Sequence, residues 1–181
     1  MRTAEEVIQF WCVEHDKDDW FGGKAEFDAR LASEFGETHP HVARGEAWRW
    51  RGTAEGRLAE IIVLDQFSRQ LLRGSAEAFA QDKMALVLAQ EAIAQGADQA
   101  VEPVRRAFFY LPFMHAESLV IQNEGVGFYE RLGDAEQLDY MRSHHEVIRR
   151  FGRFPFRNKA LGRESTAEEL AYIAEQGDRG F

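Results

Sequence analysis

Residues 114–148 read MHAESLVIQNEGVGFYERLGDAEQLDYMRSHHEVI. Met114, Ser118, Ile121, Gly125, Phe128 and Leu132 recur in steps of four and three, the spacing of one helix face. Gly133 then stops the helix and Asp134 caps the next, in which Leu138, Met141, His145 and Ile148 share a face. A stretch that reads helix, two-residue break, helix predicts an antiparallel helical hairpin.

The same period extends outward in both directions. Towards the N-terminus, Thr3 and Glu6 form a capping box ahead of Val7, Phe10 and Trp11, and this helix fades near Glu14. The Gly22–Gly23 pair breaks the chain, and Phe27, Leu31 and Phe35 predict a helix over 24–35 that stops at Gly36. A short helix is expected over 41–50. Thr53 caps the next, which carries Leu58, Ile61 and Ile62 and runs to Gln70, with Gly74 as its stop. Ser75 is expected to cap a long helix ending at Gly96, and Asp98 to open another through Tyr110. Pro112 is read as a first-turn proline. Near the C-terminus, Ser165 and Glu168 form an expected second capping box.

No stretch alternates with period two. The expectation is an all-α single domain over 1–181, of about eight helices in antiparallel hairpins, without a β-sheet. Its core is expected to hold Phe10, Phe27, Leu31, Leu58, Ile62, Phe79, Ile121, Phe128, Leu138, Met141 and Ile148.

Composition agrees with a globular chain. The 181 residues are 45% hydrophobic and 29% charged, which excludes disorder. The net charge of −9 opposes a nucleic-acid partner at long range. The longest apolar runs are too short to span a bilayer, so no membrane insertion is expected. The N-terminal segment has glutamates where a signal peptide needs a basic start, and a cytoplasmic location is the expectation. The lone Cys12 cannot form an internal disulfide and reads as an inert core thiol.

Three segments place polar residues where a helical core needs none. In residues 64–74, LDQFSRQLLRG, the spacing stacks Asp65, Arg69 and Arg73 on one face, and a solvated face is the simpler reading. In residues 110–122, YLPFMHAESLVIQ, His115, Ser118 and Gln122 adjoin the core stripe. Residues 142–163, RSHHEVIRRFGRFPFRNKALGR, hold seven basic residues against the single acid Glu146, in a chain otherwise rich in acid. Arginine matches carboxylate and phosphate with a planar fork, so this island predicts either pairing with acidic helices or a bound anion. Phe151, Phe154 and Phe156 predict a loop anchored to the core, a common platform for binding residues.

No phosphate-binding loop, dinucleotide fingerprint, nucleophile elbow or HExxH motif occurs, and no cofactor or metal is expected.

The segments LDQFSRQLLRG, FYLPFMHAES with Gln122, and HEVIRRFGRFPFRNKALGRESTAEE closely resemble an uncharacterised, mainly bacterial family, domain of unknown function nine-two-four. The opening VIQFWC with Trp20-Phe21 and Phe27-Asp28 resembles its start. The resemblance implies a tetratricopeptide-like helical fold and a shared site but no reaction. The family pattern matches at Asp65, Arg69, His115, Glu117, Gln122, His145, Arg153, Arg157, Asn158 and Arg163, which are the candidate ligand-binding residues. It departs at Phe156, where the family reads histidine. The leading expectation is a small anionic ligand in a pocket lined by arginine and histidine. A peptide-binding scaffold and an enzyme with a histidine general base, His115 or His145, are the alternatives.

Overall fold

The computed structural model describes residues 1–20 and 23–177, so the expected break at Gly22 and the family residue Phe21 lie outside the described residues. Among the described residues every regular element is helical and there is no strand. These residues fall into two compact units. The first comprises 1–20, 23–73 and 77–112, and the second 74–76 and 113–177.

In the first unit, α1 (Ala4–Ile8) starts at the expected capping box, in which Thr3 Oγ1 accepts the Glu6 N–H and Glu6 accepts the Thr3 N–H. It continues without a break into a π-helical turn, Gln9–Glu14. The short α2 (Lys17–Trp20) and α3 (Ala25–Phe35) follow. The helix expected over 41–50 begins earlier, as α4 (Thr38–Ala43). It stops because Gly45 takes a left-handed conformation (φ +76°), and only a 3-10 turn, Trp48–Gly52, forms beyond. Thr53 caps α5 (Ala54–Ile62) as expected, accepting the Gly56 N–H at 3.0 Å.

A second π-helical turn, Val63–Phe67, joins α5 to α6 (Ser68–Leu71). The two π turns pack on each other through aromatic rings: Trp11 lies 5.4 Å and Phe10 6.4 Å from Phe67. Phe27 and Phe35 complete this cluster. The long helix expected after Ser75 starts later, as α7 (Asp82–Ala94), because residues Ala76–Phe79 form a 3-10 turn. α8 (Pro103–Met114) opens on Pro103, not at Asp98, which lies buried in a 3-10 turn and accepts the Tyr110 hydroxyl at 2.7 Å. Pro112 is a further correction. It sits inside the last turn of α8, where its missing N–H deprives one carbonyl of the i−4 bond.

The second unit is the hairpin read from residues 114–148. α9 (Leu119–Leu132) ends on Gly133 at φ +79°, and α10 (Ala135–Phe151) starts where Asp134 accepts the Gln137 N–H at 3.1 Å. Gly125 lets the helices approach: a Cβ there would meet the Met141 side chain at 3.0 Å. α10 ends on Gly152 (φ +70°), and residues 153–163 form a tight loop with a 3-10 turn at Pro155–Arg157. α11 (Ala167–Gln176) closes the unit. Its cap is Thr166 with Glu169, one residue beyond the expected pair Ser165 and Glu168.

Most of the expected core is buried, namely Phe10, Phe27, Leu31, Leu58, Ile62, Met141 and Ile148. Phe79, Ile121, Phe128 and Leu138 are half-buried instead. Two of them are covered by cations: Arg69 lies over Phe79 and Arg131 over Phe128. No helix among the described residues is long and apolar enough to cross a membrane.

Candidate functional site

The arginine-rich loop of the second unit is built around Phe154, which is 1% exposed. Its backbone N–H donates to Glu117 Oε1 at 2.7 Å, and its carbonyl accepts from Arg163 Nη2 at 3.2 Å. The Arg157 guanidinium lies 4.4 Å over its ring. The His144 ring meets the same side chain edge-to-face at 5.7 Å. One phenylalanine therefore gathers groups from the α8–α9 turn, α10 and the loop.

Two carboxylates fix this arrangement. Glu117, in the α8–α9 turn, takes both ends of the Arg163 fork at 2.6 and 2.9 Å. Partial burial pushes its carboxyl pKa up, but the Arg163 fork and the Phe154 N–H outweigh that and hold it below the usual range. Glu169, on α11 and 2% exposed, takes the Arg153 fork at 2.6 and 2.8 Å and also the Thr166 N–H. The Arg153 bonds are the main reason its carboxyl falls to about 2, with the Thr166 amide adding to them against desolvation. Asn158 ties the two pairs together. Its Oδ1 accepts from Arg163 Nε at 2.9 Å, and its Nδ2 donates to Ser165 Oγ and Glu169 Oε2. Arg153, Arg163 and Asn158 thus brace the loop, as the acid-pairing alternative for the basic island requires.

Arg157 belongs to the same loop, in its 3-10 turn. It is 5% exposed and is held against Phe154 by cation–π stacking. Gln122 is fully buried in α9. Its amide N–H groups close the α8–α9 turn by donating to Met114 O at 2.7 Å and Ala116 O at 3.0 Å. Two carbonyls can only accept, which fixes the amide orientation and leaves Oε1 buried with no donor among the described residues. His115 lies in that turn, with its ring 6.2 Å from His144.

The two adjacent histidines of α10 are placed differently. His145 Nε2 donates to Asn123 Oδ1 at 2.8 Å on the α9 side of the hairpin. The buried residue is His144, 7% exposed, which the three-four count passed over. Phe156 packs near Tyr172, at 6.1 Å, in an apolar cluster with Val147 and Ile148. The family's histidine position is thus a packing position here.

Asp65 and Arg69 belong to the first unit. Asp65 sits in the second π turn and is 1% exposed, which overturns the solvated-face reading. Arg69 Nη1 donates to the Asp65 carbonyl at 2.8 Å, and its fork engages Asp82 at 2.8 and 3.0 Å. Arg73 does not extend the stack, because α6 ends at Leu71 and Arg73 turns to Asp28. Among the described residues no three metal-ligating side chains stand close enough to hold an ion.

No curated protein matches the chain. A solved structure, described as a protein of unknown function ATU0120 from Agrobacterium tumefaciens, superposes with a TM-score of 0.91 at 40% identity. The match covers 95% of this chain and 97% of that one. The model of the family described as "Bacterial protein of unknown function (DUF924)" matches residues 7–177, which include both carboxylate–arginine pairs around Phe154, and the chain belongs to that family.

Proposed function

We propose that the second unit binds a small anion beside Phe154, with Arg157 and His115 as the residues that face it. Glu117, Gln122, Arg153, Asn158 and Arg163 shape the loop and turn around that position. The observation that carries the reading is Arg157, a guanidinium at 5% exposure stacked on the Phe154 ring, which the His144 imidazole meets edge-to-face. A guanidinium presents a planar fork that matches pairs of carboxylate or phosphate oxygens.

The test is thermal unfolding with sulfate, inorganic phosphate and succinate. A ligand present at about 100 times its Kd raises apparent stability by roughly 2.7 kcal/mol. Arg157→Met keeps the volume and removes the fork, so it should fold and lose the response. Arg149→Ala, which removes only an exposed pair with Glu146, should keep it. No response from the unaltered protein to any of the three anions, or a response that survives Arg157→Met, refutes the reading.

A partner-binding role is the second reading. Trp48 favours it: the side chain is 59% exposed and carries Arg49 over its ring, the pairing enriched at interface hot spots. Right-handed stacking of hairpins would supply the concave face such a role uses.

A further inference from the structure

We propose that α7 is the contact helix of a symmetric dimer, in which two copies of this chain pack antiparallel about Val87. This surface lies on the first unit and owes nothing to the anion reading.

The side chains of α7 are distributed against the usual pattern. Its buried positions are all alanine, namely Ala85, Ala89 and Ala92. They let the helix lie close on α5 and on the second π turn. The larger apolar residues Met84, Leu86, Leu88 and Ile93 stay half-buried, and Val87 is 60% exposed. A helix that is apolar all round is normally covered all round. The outward stripe of α7 runs through Lys83, Val87, Gln90 and Ala94, all exposed, in steps of four, three and four.

Charge identifies the cover as a second copy. Lys83 lies in the first turn of α7 and Glu91 in the last, so each sits at the end of the helix whose dipole disfavours it. Lys83 makes no hydrogen bond or ion pair among the described residues. Glu91 is paired with Arg57, yet its side chain is still 47% exposed. Both charges are four residues from Val87, about 40° to either side of it on a helical wheel. A two-fold axis at Val87, perpendicular to the helix, brings Lys83 level with Glu91 of the partner subunit and Glu91 level with the partner's Lys83. Each charge then stands at the favourable end of the other helix's dipole. Met84 and Leu88 of both copies gather along one edge of the contact. A foreign partner has no reason to carry this pair of charges at this spacing, whereas a second copy carries it by identity. Such a contact is isologous and closes on itself.

The experiment is sedimentation equilibrium of the whole chain from about 1 μM to about 1 mM, the range in which a contact of modest area dissociates. The expected result is a monomer–dimer equilibrium that weakens in high salt. Val87→Glu, at an exposed position, should fold and raise the dissociation constant about tenfold or more, because it sets like charges on the axis. Lys83→Glu and Glu91→Lys should each weaken the dimer. An equimolar mixture of these two variants should restore it as a heterodimer, since both cross-pairs are then opposite in charge. Crosslinking in a Cys12→Ala background checks the register. Val87→Cys should form a disulfide between copies and Lys83→Cys should not, because the two positions 83 lie about 12 Å apart along the helix axis. A chain that is monomeric at every concentration, the outcome also expected if a different protein covers this face, overturns the proposal. So does a dimer that survives Val87→Glu, a mixture that fails to restore association, or crosslinking at position 83 as ready as at 87.

Discussion

Replacing Glu169 by glutamine tests whether the Arg153 fork stabilises the fold as the structure implies. Glu169 is buried and takes three hydrogen bonds from Arg153 and the Thr166 amide. Its carboxyl stands at about 2 in the folded chain against an ordinary 4.5. At about 1.36 kcal/mol per pH unit this difference corresponds to roughly 3 kcal/mol. Arg153 is 29% exposed, so solvent screening reduces the expected contribution to about 1–2 kcal/mol. The folded pKa is depressed, so this stability is present above the unfolded value near 4.5 and is lost as pH falls towards 2. Glutamine keeps the N3 role in the capping box, so the cap is largely retained. Urea unfolding at pH 7 should place Glu169→Gln about 1–2 kcal/mol below the unaltered chain, and the gap should close as pH falls below 3. A gap of the same size at both pH values would show that the loss is one of packing or capping, and the charge argument would fail.

Other consequences are equally direct. Gly56→Ala should destabilise by about 3 kcal/mol in spite of alanine's better helix propensity, because the new Cβ would stand 1.9 Å from the Trp50 carbonyl oxygen; denaturant midpoints would show it. Thr166→Ala should cost about 1 kcal/mol and Ser165→Ala less, reversing the order expected from a Ser165 cap; comparable unfolding curves would refute the assignment. Burial pushes the Cys12 thiol to about 11, so alkylation by iodoacetamide at pH 8 should be slow in the folded chain and fast in urea.

The helical class, the hairpin at Gly133–Asp134 and the caps at Thr3 and Thr53 were legible because each depends on residues adjacent in sequence. The misreadings share a cause: a local signal had two acceptable positions and packing chose between them. Ser165 and Thr166 are both good caps with a glutamate three residues on, and the buried pocket for Glu169 decides for Thr166. His144 and His145 lie about 60° and 40° to either side of Met141 on a helical wheel, so both satisfy the stripe. The Phe154 ring settles on His144. The polar residues of the loop and of the α8–α9 turn could be selected from composition, but not their pairing. That Glu117 answers Arg163 and Glu169 answers Arg153 depends on separations of 46 and 16 residues, which no local pattern encodes.

The π turns carry a consequence for how this chain tolerates change in length. A π turn holds one residue more than the α-helical turn it replaces, so it acts as an inserted residue absorbed without a loop. Deleting one residue within Val63–Phe67 would restore ordinary helical phase, and every side chain beyond it would rotate by about 100°. Ser68, whose hydroxyl accepts from His39 Nε2 and donates to the Leu64 carbonyl, and Arg69, which holds Asp82, would then point elsewhere. Since Phe67 packs on the other π turn at Phe10 and Trp11, the two extra residues are in effect paired. A length change in one helix is best compensated by a change in its partner, and homologues of different length should vary at both places together or at neither.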